Sequence, residues 1–112
     1  MLIYKILRDA EWADLQARGE TRGAPIDISD GFVHFSTAAQ AAETAAKHFA
    51  GEAGLMVLAF DTNHLGAALK WEVSRGGQDF PHLYAPLRMA DVLWAKPLPL
   101  DGTAHRFPAE MT

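Results

Sequence analysis

The sequence predicts an α+β domain: a mixed, mostly antiparallel sheet with two or three flanking helices. Three observations carry this. Short apolar runs of strand character recur along the chain, and two segments between them repeat apolar or small residues at three- and four-residue spacing. The two kinds of segment do not follow the strict βαβ order that a doubly wound sheet requires. Residues 1–112 contain no linker-like Ser/Pro/Gly tract, repeat or low-complexity segment, so they read as a single domain around one core.

The run from Met1 to Arg8 opens as a strand, and it meets charge too early for a secretory h-region. Asp9 is placed to cap a helix over residues 10–18, where Trp12, Leu15 and Gln16 sit at helical spacing and Gly19 supplies the stop. Thr21 to Asp30, with Gly23, Pro25 and two aspartates, reads as loop. Phe32-Val33-His34-Phe35-Ser36 is a short strand that runs into Thr37-Ala38-Ala39-Gln40, a capping-box pattern. The helix that follows, residues 38–49, carries a stripe of Ala38, Ala42, Ala45 and Phe49 suited to close packing on a sheet.

Leu55 to Phe60 is the most apolar run and predicts a central strand ended by Asp61. A turn or short helix over residues 62–67 leads to a half-exposed strand, Leu69 to Ser74, broken by Gly76-Gly77. His82-Leu83-Tyr84 after Pro81 predicts another short strand and residues 89–97 a last one, with an irregular tail beyond Pro99.

Composition narrows the chemistry. The absence of cysteine excludes disulfides, thiolate nucleophiles and the common structural zinc sites. A net charge of −4 and a pI near 5.6, with scattered basic residues, argue against a general nucleic-acid binder. No run approaches the roughly 20 apolar residues of a membrane span, so no membrane association and a cytoplasmic location are expected. The chain has neither GxGxxG, Walker A nor GxSxG. No metal site is expected, because the one short spacing among the histidines and acids, Asp61-x-x-His64, suits a turn cap.

Two segments stand out as candidate sites. On a strand, His34 and Ser36 share one face while Val33 and Phe35 take the other, which sets two polar groups beside a helix start. Thr37 fits the capping role, whereas an imidazole set between aromatic residues has a poor packing rationale. In Phe80-Pro81-His82-Leu83-Tyr84, His82 and Tyr84 likewise share a face, steadied by Pro81; the plain alternative is a rigid edge with a surface histidine. In Lys70-Trp71-Glu72, the alternation makes Trp71 a core residue and Glu72 a solvated strand charge.

Taken together, Ile3-Tyr4-Lys5-Ile6, the helix with Trp12, Gly31-Phe32-Val33-His34-Phe35-Ser36-Thr37, Leu69-x-Trp71-Glu72 and Phe80-Pro81-His82-Leu83-Tyr84 resemble the bacterial domain-of-unknown-function family 952 over nearly the whole chain. The resemblance implies a fold similar to that of ADP-ribosyltransferases, particularly the RNA 2′-phosphotransferase-like branch. By that likeness His34 would orient the ribose of NAD, as substrate rather than resident cofactor, and His82 and Tyr84 would lie on the nicotinamide side. No glutamate matches the acidic third motif by order, Glu72 included. A glycine usually follows the His-Leu-Tyr segment in the family, where this chain has Ala85.

The candidate set is therefore His34 and His82 as catalytic groups, with Ser36, Thr37, Trp71, Glu72 and Tyr84 beside them around a small-molecule, nucleotide-like ligand. Three functions compete. One is an NAD- or ADP-ribose-linked transferase. Another is a non-catalytic small-ligand or interaction module that keeps the pocket without the acid. The third is a hydrolase using a histidine pair, for which no activated nucleophile is evident.

Overall fold

The computed structural model of the protein describes residues 1–111. In chain order its elements are β1 (Leu2–Arg8), α1 (Asp9–Arg18), β2 (Glu20–Thr21), α2 (Pro25–Asp30), β3 (Val33–His34), α3 (Ala38–His48), β4 (Leu55–Asp61), α4 (Thr62–Leu65), β5 (Leu69–Val73), β6 (Asp79–Leu83), β7 (Leu87–Arg88), β8 (Trp94–Leu98), β9 (Leu100–Asp101) and β10 (Ala104–His105). This is an α+β architecture, and every strand pairing among the described residues is antiparallel.

Two three-stranded sheets form the frame. The first has the order β1-β4-β8 and the second β3-β6-β5. They are joined where the chain beyond β3 meets β1: Tyr4 and Ser36 exchange backbone hydrogen bonds of 2.8 and 2.9 Å. β4 is central in the first sheet and buried on both faces, which explains its unbroken apolar run. Leu58 and Phe60 pack with Ile3, Leu7, Leu15, Val33, Phe35 and Leu83 between the sheets. Val57 and Ala59 pack on the other side with Tyr4, Ile6, Ala45 and Phe49, under α3.

Helix α3 starts as its sequence requires. Thr37 Oγ1 accepts from the Gln40 N–H at 3.2 Å while Gln40 Oε1 accepts from the Thr37 N–H at 3.1 Å, closing the capping box. Gln40 also reaches the Asp79 carbonyl with its side-chain amide at 2.8 Å, which ties the helix start to β6.

Several sequence expectations need correction. The segment Thr21 to Asp30 is not loop throughout, because Pro25 at the first helical position and Gly31 in the left-handed region (φ 84°) bracket the six-residue α2. Asp9 is the first residue of α1 rather than its cap; the Glu11 carboxylate takes the Arg8 N–H instead, at 2.9 Å. The last strand of the main sheet is confined to Trp94–Leu98, after a 3₁₀ turn at Met89–Asp91. The tail beyond Pro99 is a small hairpin, β9 with β10, rather than irregular chain.

Trp71 is not core. Leu69, Trp71 and Val73 share one face of β5, but the strand runs past the edge of the core, leaving Trp71 41% and Val73 71% exposed.

Pro81 sits inside the central strand β6, where a missing N–H is usually costly. Its carbonyl accepts from the Phe35 N–H at 3.0 Å, so its donor position also points toward this neighbour, just past the end of β3. The ladder with β5 therefore loses nothing.

Candidate functional site

The site begins with a buried carboxylate. Pro25 and the tight entry at Gly23 start α2 so that Asp27, in its first turn, points inward with its side chain fully buried. Gly23 has φ of 98°, and a β-carbon there would collide with the Asp27 carboxylate, so glycine is required twice over. Asp27 Oδ2 accepts from Lys5 Nζ at 2.8 Å and from the Ala24 N–H at 2.7 Å. Its Oδ1 accepts from the His34 N–H at 2.9 Å and lies 2.6 Å from His34 Nδ1.

Burial alone would push the Asp27 carboxyl up. The hydrogen bond to His34 and the Lys5 ammonium outweigh it and hold the group at about 2. Burial pushes the Lys5 ammonium below its usual range despite the pull of Asp27. Lys5 Nζ also donates to the His34 carbonyl at 2.9 Å, so the one lysine braces both the acid and the strand carrying the histidine.

This arrangement fixes the imidazole. An ionised Asp27 only accepts, so Nδ1 of His34 donates to it and Nε2 is the nitrogen on the opposite side of the ring. Nε2 lies 3.0 Å from Asp30 Oδ2, at the exposed end of α2.

His82 repeats the pattern. It stands directly opposite His34 across the β3–β6 pair, and its Nδ1 lies 2.8 Å from Glu72 Oε1. The Tyr84 hydroxyl donates to the same oxygen at 2.7 Å. Those two hydrogen bonds, from Tyr84 first and His82 second, hold the Glu72 carboxyl below its ordinary value, and the Tyr84 phenol is raised by the same contact. The Nε2 of His82 is buried with no protein partner among the described residues.

Phe32 binds the group together. Its ring stacks on His82 (centroids 4.2 Å apart, 25° between planes) and also touches His34 at 4.6 Å and Tyr84 at 5.2 Å. The two imidazoles meet edge to face, 5.3 Å apart.

A cavity of about 710 Å³ opens beside this cluster. His34, Ser36 and His82 line it, with Tyr4, Lys5 and Arg8 from β1 and Thr44 from α3. Ser36 Oγ is 2.8 Å from Thr44 Oγ1. Arg8 is held by Glu52 at 2.9 and 3.0 Å, so neither it nor Lys5 brings an uncompensated charge to the wall.

The other candidates lie elsewhere. Thr37 is the helix cap, and Trp71 is on the core-side face of β5 but beyond the edge of the core, away from the cavity. Glu72 stands behind His82 and is a bonded acceptor, where the alternation suggested a solvated charge. Tyr84 borders a second, smaller cavity of about 260 Å³ that Phe32 also lines. His82 is 4% exposed, which removes the surface-histidine alternative.

Sequence reasoning passed over Asp27, Lys5 and Phe32. The signal for Phe32 was available, since it lies two residues before His34 and therefore on the same strand face.

Among the described residues no group of three or more histidines and acids is placed to hold a metal, and no helix is long and apolar enough to cross a membrane.

Comparison with known proteins agrees with the whole-chain resemblance. The family model described as a protein of unknown function, DUF952, matches residues 6–95. The crystal structure of protein CC0527 from Caulobacter crescentus is 48% identical, with 95% of this chain and 94% of that chain covered and a TM-score of 0.91. The solution NMR structure of CC0527 gives 50% identity, 93% and 90% coverage and a TM-score of 0.83. Among curated proteins, none matches. The match over most of the chain, a span that includes His34 and His82, places this protein in the DUF952 family.

Proposed function

We propose that the cavity beside His34 and His82 binds a ribose-bearing nucleotide of the NAD or ADP-ribose kind, within an ADP-ribosyltransferase-like architecture. One observation carries this reading: two imidazoles 5.3 Å apart on one cavity wall, each held through Nδ1 by a carboxylate, Asp27 for His34 and Glu72 for His82. Orientation of this kind fixes each ring; Nε2 of His82 has no protein partner among the described residues, and Nε2 of His34 faces the exposed Asp30 carboxylate, which a vicinal hydroxyl of a sugar can displace.

The cavity volume falls within the range of small-molecule sites. Lys5 and Arg8 are neutralised, so a phosphate gains little from them. The expected affinity is modest, micromolar to millimolar, or about −8 to −4 kcal/mol.

Turnover and simple binding are distinguished by Glu72. A carboxylate beside a cleaving nicotinamide bond would stabilise the developing positive charge. Glu72 Oε1 already accepts from both His82 and Tyr84, which spreads its charge and favours binding without turnover.

Calorimetric titration with NAD and ADP-ribose tests the reading. A saturable heat that disappears in His34→Ala and His82→Ala supports it, and no heat at millimolar nucleotide ends it. Heat without release of nicotinamide, followed by chromatography, selects the non-catalytic form.

A further inference from the structure

The free edge of β5 has a symmetry that its sequence shares. The strand lies at the outside of the sheet β3-β6-β5. Its hydrogen bonds to β6 come from alternate residues. The Tyr84 N–H donates to the Ala68 carbonyl at 2.8 Å at one end, and the Ser74 N–H donates to the Gln78 carbonyl at 2.9 Å at the other. Both contacts keep the register of Lys70 with His82 and Glu72 with Phe80, so the even-numbered residues face β6. The backbone groups of Leu69, Trp71 and Val73 therefore face outward. The Leu69 N–H turns back to the Gly66 carbonyl, leaving the Leu69 carbonyl and both groups of Trp71 and Val73 directed at the open edge.

From this we infer that the protein self-associates through β5, pairing antiparallel with a second copy about a two-fold axis at Trp71. In that register the two Trp71 residues exchange both backbone bonds, and each Val73 N–H meets the second copy's Leu69 carbonyl. The side chains fit the same axis. On one face Lys70 stands opposite the second copy's Glu72, giving two opposite-charge pairs, and a favourable pair of this kind stabilises sheet edges. On the other face Trp71 meets Trp71 and Leu69 meets Val73, covering the apolar side chains that the monomer leaves exposed.

Edge strands with unpaired backbone and apolar side chains normally carry devices against such pairing. Here the lysine is matched to a glutamate by the strand's own symmetry. The second copy is thus favoured over an unrelated extended peptide, which would lack that charge match. The pairing would also bring a lysine from each copy beside the Glu72 that holds His82.

Amide hydrogen exchange on the native protein, followed by NMR from dilute to near-millimolar concentration, tests the inference. The Trp71 and Val73 amides should gain at least about tenfold protection as concentration rises, while Lys70 and Glu72 stay protected throughout. Sedimentation equilibrium over the same range should show a reversible monomer–dimer transition. Lys70→Glu sets like charges opposite each other twice and should weaken association by about tenfold or more. Trp71→Pro, which removes only an outward donor, should abolish it. A monomer at every concentration overturns the inference, and so does a dimer in which the Trp71 and Val73 amides stay unprotected.

Discussion

Asp27 Oδ1 lies 2.6 Å from Nδ1 of His34, while the other oxygen of the same carboxylate holds Lys5 Nζ at 2.8 Å. A residue of the candidate site is thus built on a buried ion pair, and its position and its electrostatics have the same source. Removing the acid leaves a fully buried ammonium without a counter-charge. Asp27→Ala should therefore lose about 3–5 kcal/mol of stability in urea denaturation, and Asp27→Leu combined with Lys5→Met should recover much of that loss.

The same pair sets an acid limit. Asp27 sits at about 2 in the folded protein against an ordinary value of 3.8, so between these values the unfolded state binds more protons. Its contribution is complete above the unfolded value and is lost as pH falls through the folded one. A shift of this size corresponds to about 2 kcal/mol. Urea melts from pH 5 down to pH 2 should show that decline in the native protein. Asp27→Asn should start less stable and flatten the slope.

Exposure separates two aromatic residues that look alike in sequence. Phe60 is fully buried between the sheets, and Phe60→Ala should cost about 3–5 kcal/mol. Trp71→Ala, at a position past the edge of the core on β5, should cost less than about 1 kcal/mol in the monomer. Dilute denaturant melts of both variants check the contrast.

That contrast shows what the sequence could and could not carry. Apolar continuity identified β4 and the capping box identified α3, because both signals depend on residues close together in the chain. Helix α2 escaped because it is six residues long and leaves Ile26 and Ile28 exposed, so it has no apolar stripe, although Pro25 and Gly31 marked its ends. Alternation gave β5 its two faces but could not say that the core ends at Leu69 and leaves Trp71 and Val73 uncovered. His34 and His82 were legible from strand parity. The carboxylates behind them were less so: Asp27 reaches Lys5 across 22 positions, and Glu72 reaches His82 across 10, distances over which spacing alone carries no message.

Tyr84 tunes the second carboxylate. Its hydroxyl is the foremost cause of the depressed Glu72 value. Tyr84→Phe should move Glu72 back up toward the ordinary carboxylate range, with the fold unchanged. A carbon-detected NMR titration of the glutamate side chains follows this directly, and an unmoved Glu72 would show that His82 alone sets it.

The most direct test of the account follows the imidazole nitrogens of His34 and His82 by NMR as ADP-ribose is added. Both Nε2 resonances should shift in one saturable process, while both Nδ1 nitrogens keep their protons to Asp27 and Glu72. In His82→Ala the His34 response should vanish, and in His34→Ala the His82 response. Nε2 resonances that stay in place at millimolar ADP-ribose, or that move at one histidine without the other, would contradict a shared nucleotide site.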